Sequence, residues 1–400
     1  MDEGIYRQPY RFVILALACA LAFVGNYLQY QVSALATDVM GRLHIGTAEF
    51  QLLFLVPMLA AVFFSIPFGV LGDKVGPKKV IACAFLVTLA GSVARFVDLQ
   101  SFPLQVACMF MMGVGMSALT ANNAKTLGLW FGARTDFAMG FYYAFSCLGI
   151  SVSQATASMF GSTEGSYLFA TMALCVVILC WLCFDRNVPK GGSVPSDAMS
   201  KPTFGPMLRV RNVWLIAFAA GLTLSTTTGY AGILPQALEL SRGMETTVSG
   251  QMASFLTLAS MAGCIATPVL CARFKTTKVY LVVAGIVGTF VMALTWMVPD
   301  SGMALLAMML LNGFTTNLLG PILQSLPIVL PDIGSRFAGS AGGIIGEVSL
   351  MFSFALPIVI SAISGFDYTM NLTLLSLCYG LSLVPIAFLP RLNEADEIAR

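Results

Sequence analysis

Apolar and polar positions along this chain alternate on the scale of whole spans, not single turns. Runs of about 20 largely apolar residues recur, each long enough to cross a bilayer's hydrocarbon core of ~30 Å as a helix. Short polar or glycine- and proline-marked breaks separate them and predict twelve spans. The first six lie near 11–36, 49–71, 79–99, 102–128, 136–160 and 165–184. The second six lie near 212–238, 247–272, 278–298, 302–330, 338–363 and 369–389. The one long polar stretch, Asp185 to Asn212, is rich in Gly, Pro, Ser and Lys and reads as a flexible linker. The expected organisation is a six-helix bundle over 1–184, a cytoplasmic linker over 185–211 and a second six-helix bundle over 212–400.

Composition narrows the class. With 58% hydrophobic and 10% charged residues, against about 25% charged in globular proteins, the chain reads as an all-α, polytopic membrane protein. A net charge of +2 without a basic-aromatic stripe gives no sign of a nucleic-acid partner. The apolar run that begins at Phe12 continues through Ala16, Ala18 and Ala20, so the first span is expected to stay uncleaved. The ten cysteines sit in apolar segments, which argues against a disulfide framework. Cys180 and Cys183 read as small apolar residues at a helix end, the methionines near Met109 as packing, and His44 as isolated. No metal and no cofactor is expected. No loop carries a nucleophile–base or metal-ligand grouping, so an enzyme is not expected either.

Positive charge sets the orientation. With both termini on the cytoplasmic side, 18 of the 21 Lys and Arg residues fall on that side, leaving Arg42, Arg95 and Arg242. That bias follows the positive-inside rule.

Between the second and third spans runs GVLGDKVGPKK, Gly69 to Lys79, expected as a tight basic loop with one carboxylate, Asp73. Its spacing resembles the Gly-x-x-x-Asp-(Arg/Lys)-x-Gly-x-(Arg/Lys)-(Arg/Lys) loop of the major facilitator superfamily of secondary transporters. The resemblance implies two pseudo-symmetric bundles of six helices that alternate access to a central substrate site. It also implies a gating role for Gly69, Asp73, Lys74, Gly76, Lys78 and Lys79. There Asp73 would latch against the start of the eleventh helix, with Lys125 or Arg134 completing the network. The halves carry weak internal symmetry, as such a transporter should. An offset of 199 sets Lys74 on Arg273 and Lys79 on Lys278, with Pro268 and Ala272 replacing Gly69 and Asp73.

Glu347 is the one acid well inside an expected span. Gly339, Gly342, Gly343 and Gly346 form a stripe beside it, which predicts close helix packing with the carboxylate facing protein or a wet cavity. It reads either as a structural acid or as the proton-coupling or substrate group. Polar residues gather in the helices that line the cavity in this family. Asn26, Gln29 and Tyr30 lie in the first, Tyr143 and Gln154 in the fifth, Tyr230 in the seventh, Asn312 and Asn317 in the tenth. With Glu347 they are the candidate substrate residues. Lys125 reads equally as an interfacial lysine or a gate. Arg95 and Asp98 read as an intrahelical pair, and Pro321 and Pro327 as kinks in a continuous tenth helix. The family's mid-membrane Arg in helix 4 is absent, as is the Gly-Pro pair of many drug antiporters in helix 5.

The expected function is a proton-coupled secondary transporter of a small, mostly uncharged or cationic organic solute. A multidrug or metabolite exporter and a small monocarboxylate transporter are the alternatives. Expected partners are the substrate, protons and the lipid bilayer; the protein is expected to act as a monomer in the inner membrane.

Overall fold

A computed structural model describes residues 9–131, 134–184, 204–274, 276–298, 302–330 and 334–390. Within these, the side chains of Asp73, Asp136, 204–205, 328–329 and 334–340 lie outside the description. So does most of the expected linker. Two compact units emerge, Met1–Ile45 with Leu52–Ser200, and Gly46–Gln51 with Lys201–Arg400.

The first unit is built from α1 (Arg11–Ala34), α2 (Ala36–Leu43), α3 (Thr47–Val75, from Leu52 on), α4 (Pro77–Ala94), α5 (Phe102–Phe131), α6 (Thr135–Thr156) and α7 (Thr163–Phe184). The second holds α8 (Phe204–Met207), α9 (Arg211–Arg242), α10 (Thr246–Cys271), α11 (Thr277–Met297), α12 (Gly302–Thr316), α13 (Gly320–Val329), α14 (Gly334–Ser364), α15 (Tyr368–Leu381) and α16 (Leu383–Ala387). Among the described residues every regular element is helical. Eleven helical stretches are long and apolar enough to cross a membrane, taking α12 with α13 and α15 with α16. The twelfth helix of span length, α6, falls outside that set because Tyr142, Tyr143, Ser146, Ser151, Ser153 and Gln154 interrupt its apolar face. The expected twelve-span, all-α architecture is the one observed.

Each unit has its own core. Tyr230, Tyr280, Tyr379, Leu319 and Leu375 are enclosed in the second unit. In the first, Ile14, Leu28, Phe54, Phe85 and Trp130 are enclosed. Apolar side chains also cover the outer faces: Phe63, Met172, Leu179 and Phe290 are all at least 60% exposed, as a bilayer allows and water does not. Lipid tails are as apolar as leucine, so helix association rests on close packing and interhelical hydrogen bonds. One such crossing is repeated. A Cβ on Gly113 of α5 would stand 2.4 Å from the Pro57 carbonyl oxygen of α3, and one on Gly313 of α12 would stand 1.9 Å from that of Leu256 of α10. Only glycine lets these backbones approach so closely.

Two expectations need correction. The expected tight loop at Gly69–Lys79 is almost entirely helix. Helix α3 runs to Val75 and α4 starts at Pro77, leaving Gly76 at φ +92° as the single turning residue. Glycine reaches that φ without a Cβ penalty, and proline in the next position has its φ pre-set for a first helical turn.

The tenth span is broken, not merely kinked. Helix α12 stops at Thr316, and α13 restarts at Gly320 with Pro321 in its first turn. Proline cannot donate to the preceding turn, so carbonyls are freed inside the bundle. They are satisfied from three other helices. Tyr379 donates to the Thr316 carbonyl at 2.9 Å, and Tyr280 and Thr267 donate to that of Leu318 at 3.1 and 3.3 Å. Non-helical backbone survives at membrane depth only when protein groups or enclosed water take up its hydrogen bonds.

Candidate functional site

On α1, Asn26 is part-buried and donates back to the Ala22 carbonyl at 2.8 Å. Gln29, one turn on, crosses to α3 and donates to the Phe54 carbonyl at 3.1 Å. Tyr30 is buried edge-on against the Phe54 ring, centroids 5.1 Å apart. Two of the three α1 candidates therefore converge on one residue of α3. On α6, Gln154 is wholly enclosed, whereas Tyr143 is half exposed with its ring 5.4 Å from that of buried Tyr142.

In the second unit, Tyr230 of α9 and Asn312 of α12 are both enclosed, and the phenol adjoins the amide. Asn317 sits at the break after α12, its amide 3.4 Å from the Gly313 carbonyl. The structure thus brings together Gln29 and Tyr30 at Phe54 in the first unit, and Tyr230 and Asn312 in the second, while Tyr143 and Glu347 are more open.

Glu347 lies midway along α14, partly exposed. Its carboxylate makes no hydrogen bond or ion pair among the described residues. Two of the four glycines in the stripe beside it, Gly342 and Gly346, lack the close neighbour that the expected packing calls for. A Cβ on Gly342 or Gly346 would meet nothing within 4 Å. Close packing by α14 falls elsewhere, where Phe352 covers Gly221 and Pro357 covers Gly229 of α9. Gly342 and Gly346 leave α14 bare at two positions next to the acid.

The expected gating residues divide by environment. Lys78, in the first turn of α4, donates to the Leu182 carbonyl at the end of α7 (3.3 Å). A cation there satisfies a helix C-terminus and its partial negative charge. Lys74, Lys79 and Arg134 are exposed, whereas Lys125 is half-buried. Gly69 and Asp73 lie on the last two turns of α3, and the Asp73 side chain is outside the description. Missing from the expected set is Asn122 of α5. It donates to the carbonyls of Phe68 (3.1 Å) and Ala118 (2.9 Å), and its Oδ1 stands where a Cβ on Gly72 would be. It fixes the turn of α3 that carries Asp73. Its position one turn before Thr126 and Lys125 was the only signal in the sequence.

The expected Arg95–Asp98 pair is absent among the described ion pairs. Arg95 is the C-cap of α4, enclosed, with its guanidinium over the Tyr167 ring. Asp98 turns its Oδ1 to the Gln100 amide at 2.9 Å. Helix α4 ends at Ala94, so the i, i+3 geometry of a helical pair no longer applies.

The sequence profile of the Major Facilitator Superfamily matches residues 15–356. The chain is 22% identical over 385 residues to the "Probable sulfoacetate transporter SauU" of Cupriavidus necator, covering 87% of this chain and 86% of that protein. It is 19% identical over 365 residues to the "Probable nitrate transporter NarT" of Staphylococcus haemolyticus, covering 89% and 91%. The fold superposes on the inward-facing, occupied crystal structure of a bacterial homologue of the human lysosomal transporter Spinster. The TM-score is 0.73 at 14% identity, covering 95% of this chain and 96% of that one.

Proposed function

The chain belongs to the Major Facilitator Superfamily, and on that premise we propose that it is a proton-coupled secondary transporter moving a small organic solute by alternating access. The observation that carries the coupling is Glu347, an acid inside a spanning helix with no bonded partner among the described residues and open space beside its glycines. Intramembrane ionisable groups are costly and mark ion or substrate pathways. A carboxyl that meets water on one side and then the other can load and release one proton per cycle. Gln29, Tyr30, Tyr143, Tyr230, Asn312 and Asn317 then supply the hydrogen-bonding groups for the solute, with Asn26 and Gln154 behind them.

Two substrate classes have support. A mostly uncharged or cationic solute suits a site whose one central charge is a carboxylate. A small anion is favoured by the names of the two relatives, sulfoacetate and nitrate transporters. An anion could share a cavity with Glu347 only after the carboxyl had taken a proton, and that alone would couple the two. The positive-inside bias supports cytoplasmic termini in an inner membrane, and the protein is proposed to act as a monomer.

The test is uptake into proteoliposomes of a panel of neutral, cationic, carboxylate, sulfonate and nitrate solutes, with and without an inward proton gradient. Accumulation of one class that requires the gradient is expected. Uptake that only equilibrates, with the gradient making no difference, would contradict proton coupling.

A further inference from the structure

The corner of the first unit where α4 ends and α5 and α7 begin holds a charge with no counter-charge. Arg95 is 1% exposed, and its Cζ lies 3.2 Å from the centre of the Tyr167 ring on α7. Its Nε and Nη1 are enclosed and have no hydrogen-bond partner. Gln105, in the first turns of α5, donates to the Arg95 carbonyl at 2.9 Å and to that of Asp98 at 3.0 Å, so its amide does not serve the guanidinium, which has the Tyr167 phenol as its hydrogen-bonding neighbour and leaves Nε and Nη1 unmatched. The acids nearby are engaged elsewhere. Asp98 is exposed and bonded to the Gln100 amide, and Glu164 of α7 is held by Arg42. The first turn of α5 carries no acid.

A guanidinium does not lose its proton. An enclosed charge without a partner is strongly destabilising, and a cation–π contact offsets only part of that. The N-termini of α5 and α7 add partial positive charge at the same corner. Against these stands only the partial negative charge at the C-terminus of α4, which Arg95 caps, and no carboxylate is paired with the guanidinium among the described ion pairs.

We propose that this corner is a phosphate-binding site, with Arg95 supplying the charge and its Nε and Nη1 the donors. The short connection 96–101 beside it has to shift for the group to seat. A lipid headgroup and free phosphate share this chemistry. The surrounding surface suits the lipid, because Val93 and Leu168 are each 53% exposed and Val97 82%, apolar faces against which acyl chains could lie. A phosphate at headgroup level meets a helix end, which is where Arg95 sits.

The experiment measures thermal unfolding of the full chain in neutral detergent, alone, with phosphatidylglycerol vesicles, and with inorganic phosphate. It compares the unaltered protein with Arg95→Met. Phosphatidylglycerol is expected to raise the unaltered protein's midpoint by roughly 3 °C or more and to leave that of Arg95→Met unmoved. A rise with inorganic phosphate alone, again lost in Arg95→Met, would support the site with a soluble source. Without ligand, Arg95→Met is expected to be at least as stable as the unaltered protein, since it removes an uncompensated charge. Equal shifts in both proteins, no shift in either, or an Arg95→Met chain that fails to fold would each overturn the proposal. Native mass spectrometry of the unaltered protein is a second reading. Retention of one phosphatidylglycerol in preference to phosphatidylcholine is expected, and no preference would contradict the lipid source.

Discussion

Gly113 in the first unit and Gly313 in the second stand at the same crossing, each pressed against the backbone of a neighbouring helix at Pro57 or Leu256. Lys78 and Lys278 repeat the likeness. Lys78 reaches the Leu182 carbonyl near the end of α7, and Lys278 those of Ala387 and Leu389 beyond α15, at 2.6 and 2.7 Å. These contacts pair Lys78 with Lys278, one residue away from the sequence match that set Lys79 on Lys278. The two units then part. In the first, α5 crosses in one piece over 30 residues, whereas its counterpart breaks after Thr316. Asp73 stands on α3 where the second unit has Ala272, the C-cap of α10. Arg42 binds the acids Asp38 (2.9 Å) and Glu164, while Arg242 lies over the Trp296 ring and donates to the carbonyls of Trp296 and Val298 at the end of α11. Positions that hold helices together are repeated, and the positions that differ are backbone irregularities and charges. The repeat is a scaffold, and each unit carries its own specialised parts.

The shared crossing is the place to break that comparison hardest. Gly313→Ala puts a Cβ into backbone that cannot yield locally, and is expected to cost about 3 kcal/mol. Gly113→Ala, with slightly more room, should cost less. Thermal unfolding in detergent would rank them, and a Gly313→Ala protein as stable as the unaltered one would remove the crossing from the scaffold.

Asp73→Asn sharpens the asymmetry. In the superfamily this residue is expected to bias one conformation by charge–dipole attraction, worth up to ~2 kcal/mol or roughly thirtyfold in the conformational equilibrium. Turnover should fall with substrate affinity little changed, and Ala272→Asp should not rescue it. Cysteine accessibility on the two faces checks the population, and wild-type accessibility and turnover in Asp73→Asn would make it an ordinary helix residue.

A smaller effect tests the broken helix. Tyr379→Phe leaves the Thr316 carbonyl without its tyrosine donor and should cost about 1 kcal/mol, and Tyr280→Phe should cost less, because Thr267 still donates to the Leu318 carbonyl. The two should be additive only if the carbonyls of Leu318 and Thr316 are independent. Unchanged unfolding in both variants would mean that water already serves the break.

What the sequence made legible follows from which signals are local. Apolar runs such as Glu49–Phe68 announce spans because the bilayer's thickness acts on any such run, and the Gly69–Lys79 spacing carried the family by itself. The break at Asn317–Leu319 was hidden because the same Gly-Pro pair also fits a kink. What settles it is the presence of Tyr280, Thr267 and Tyr379 from distant helices. The stripe beside Glu347 is ambiguous for a related reason. Glycines that permit packing and glycines that leave a face bare are spelled alike. Arg95 was paired with Asp98 on helical spacing, yet α4 stops one residue short of it.

The measurement closest to the central claim is proton-driven accumulation by Glu347→Gln in proteoliposomes, beside exchange of substrate across the same membrane without a gradient. The account predicts that accumulation against a gradient is abolished while exchange stays partly intact, because the amide can hydrogen-bond but cannot carry a proton. A Glu347→Gln protein that still concentrates substrate would contradict it.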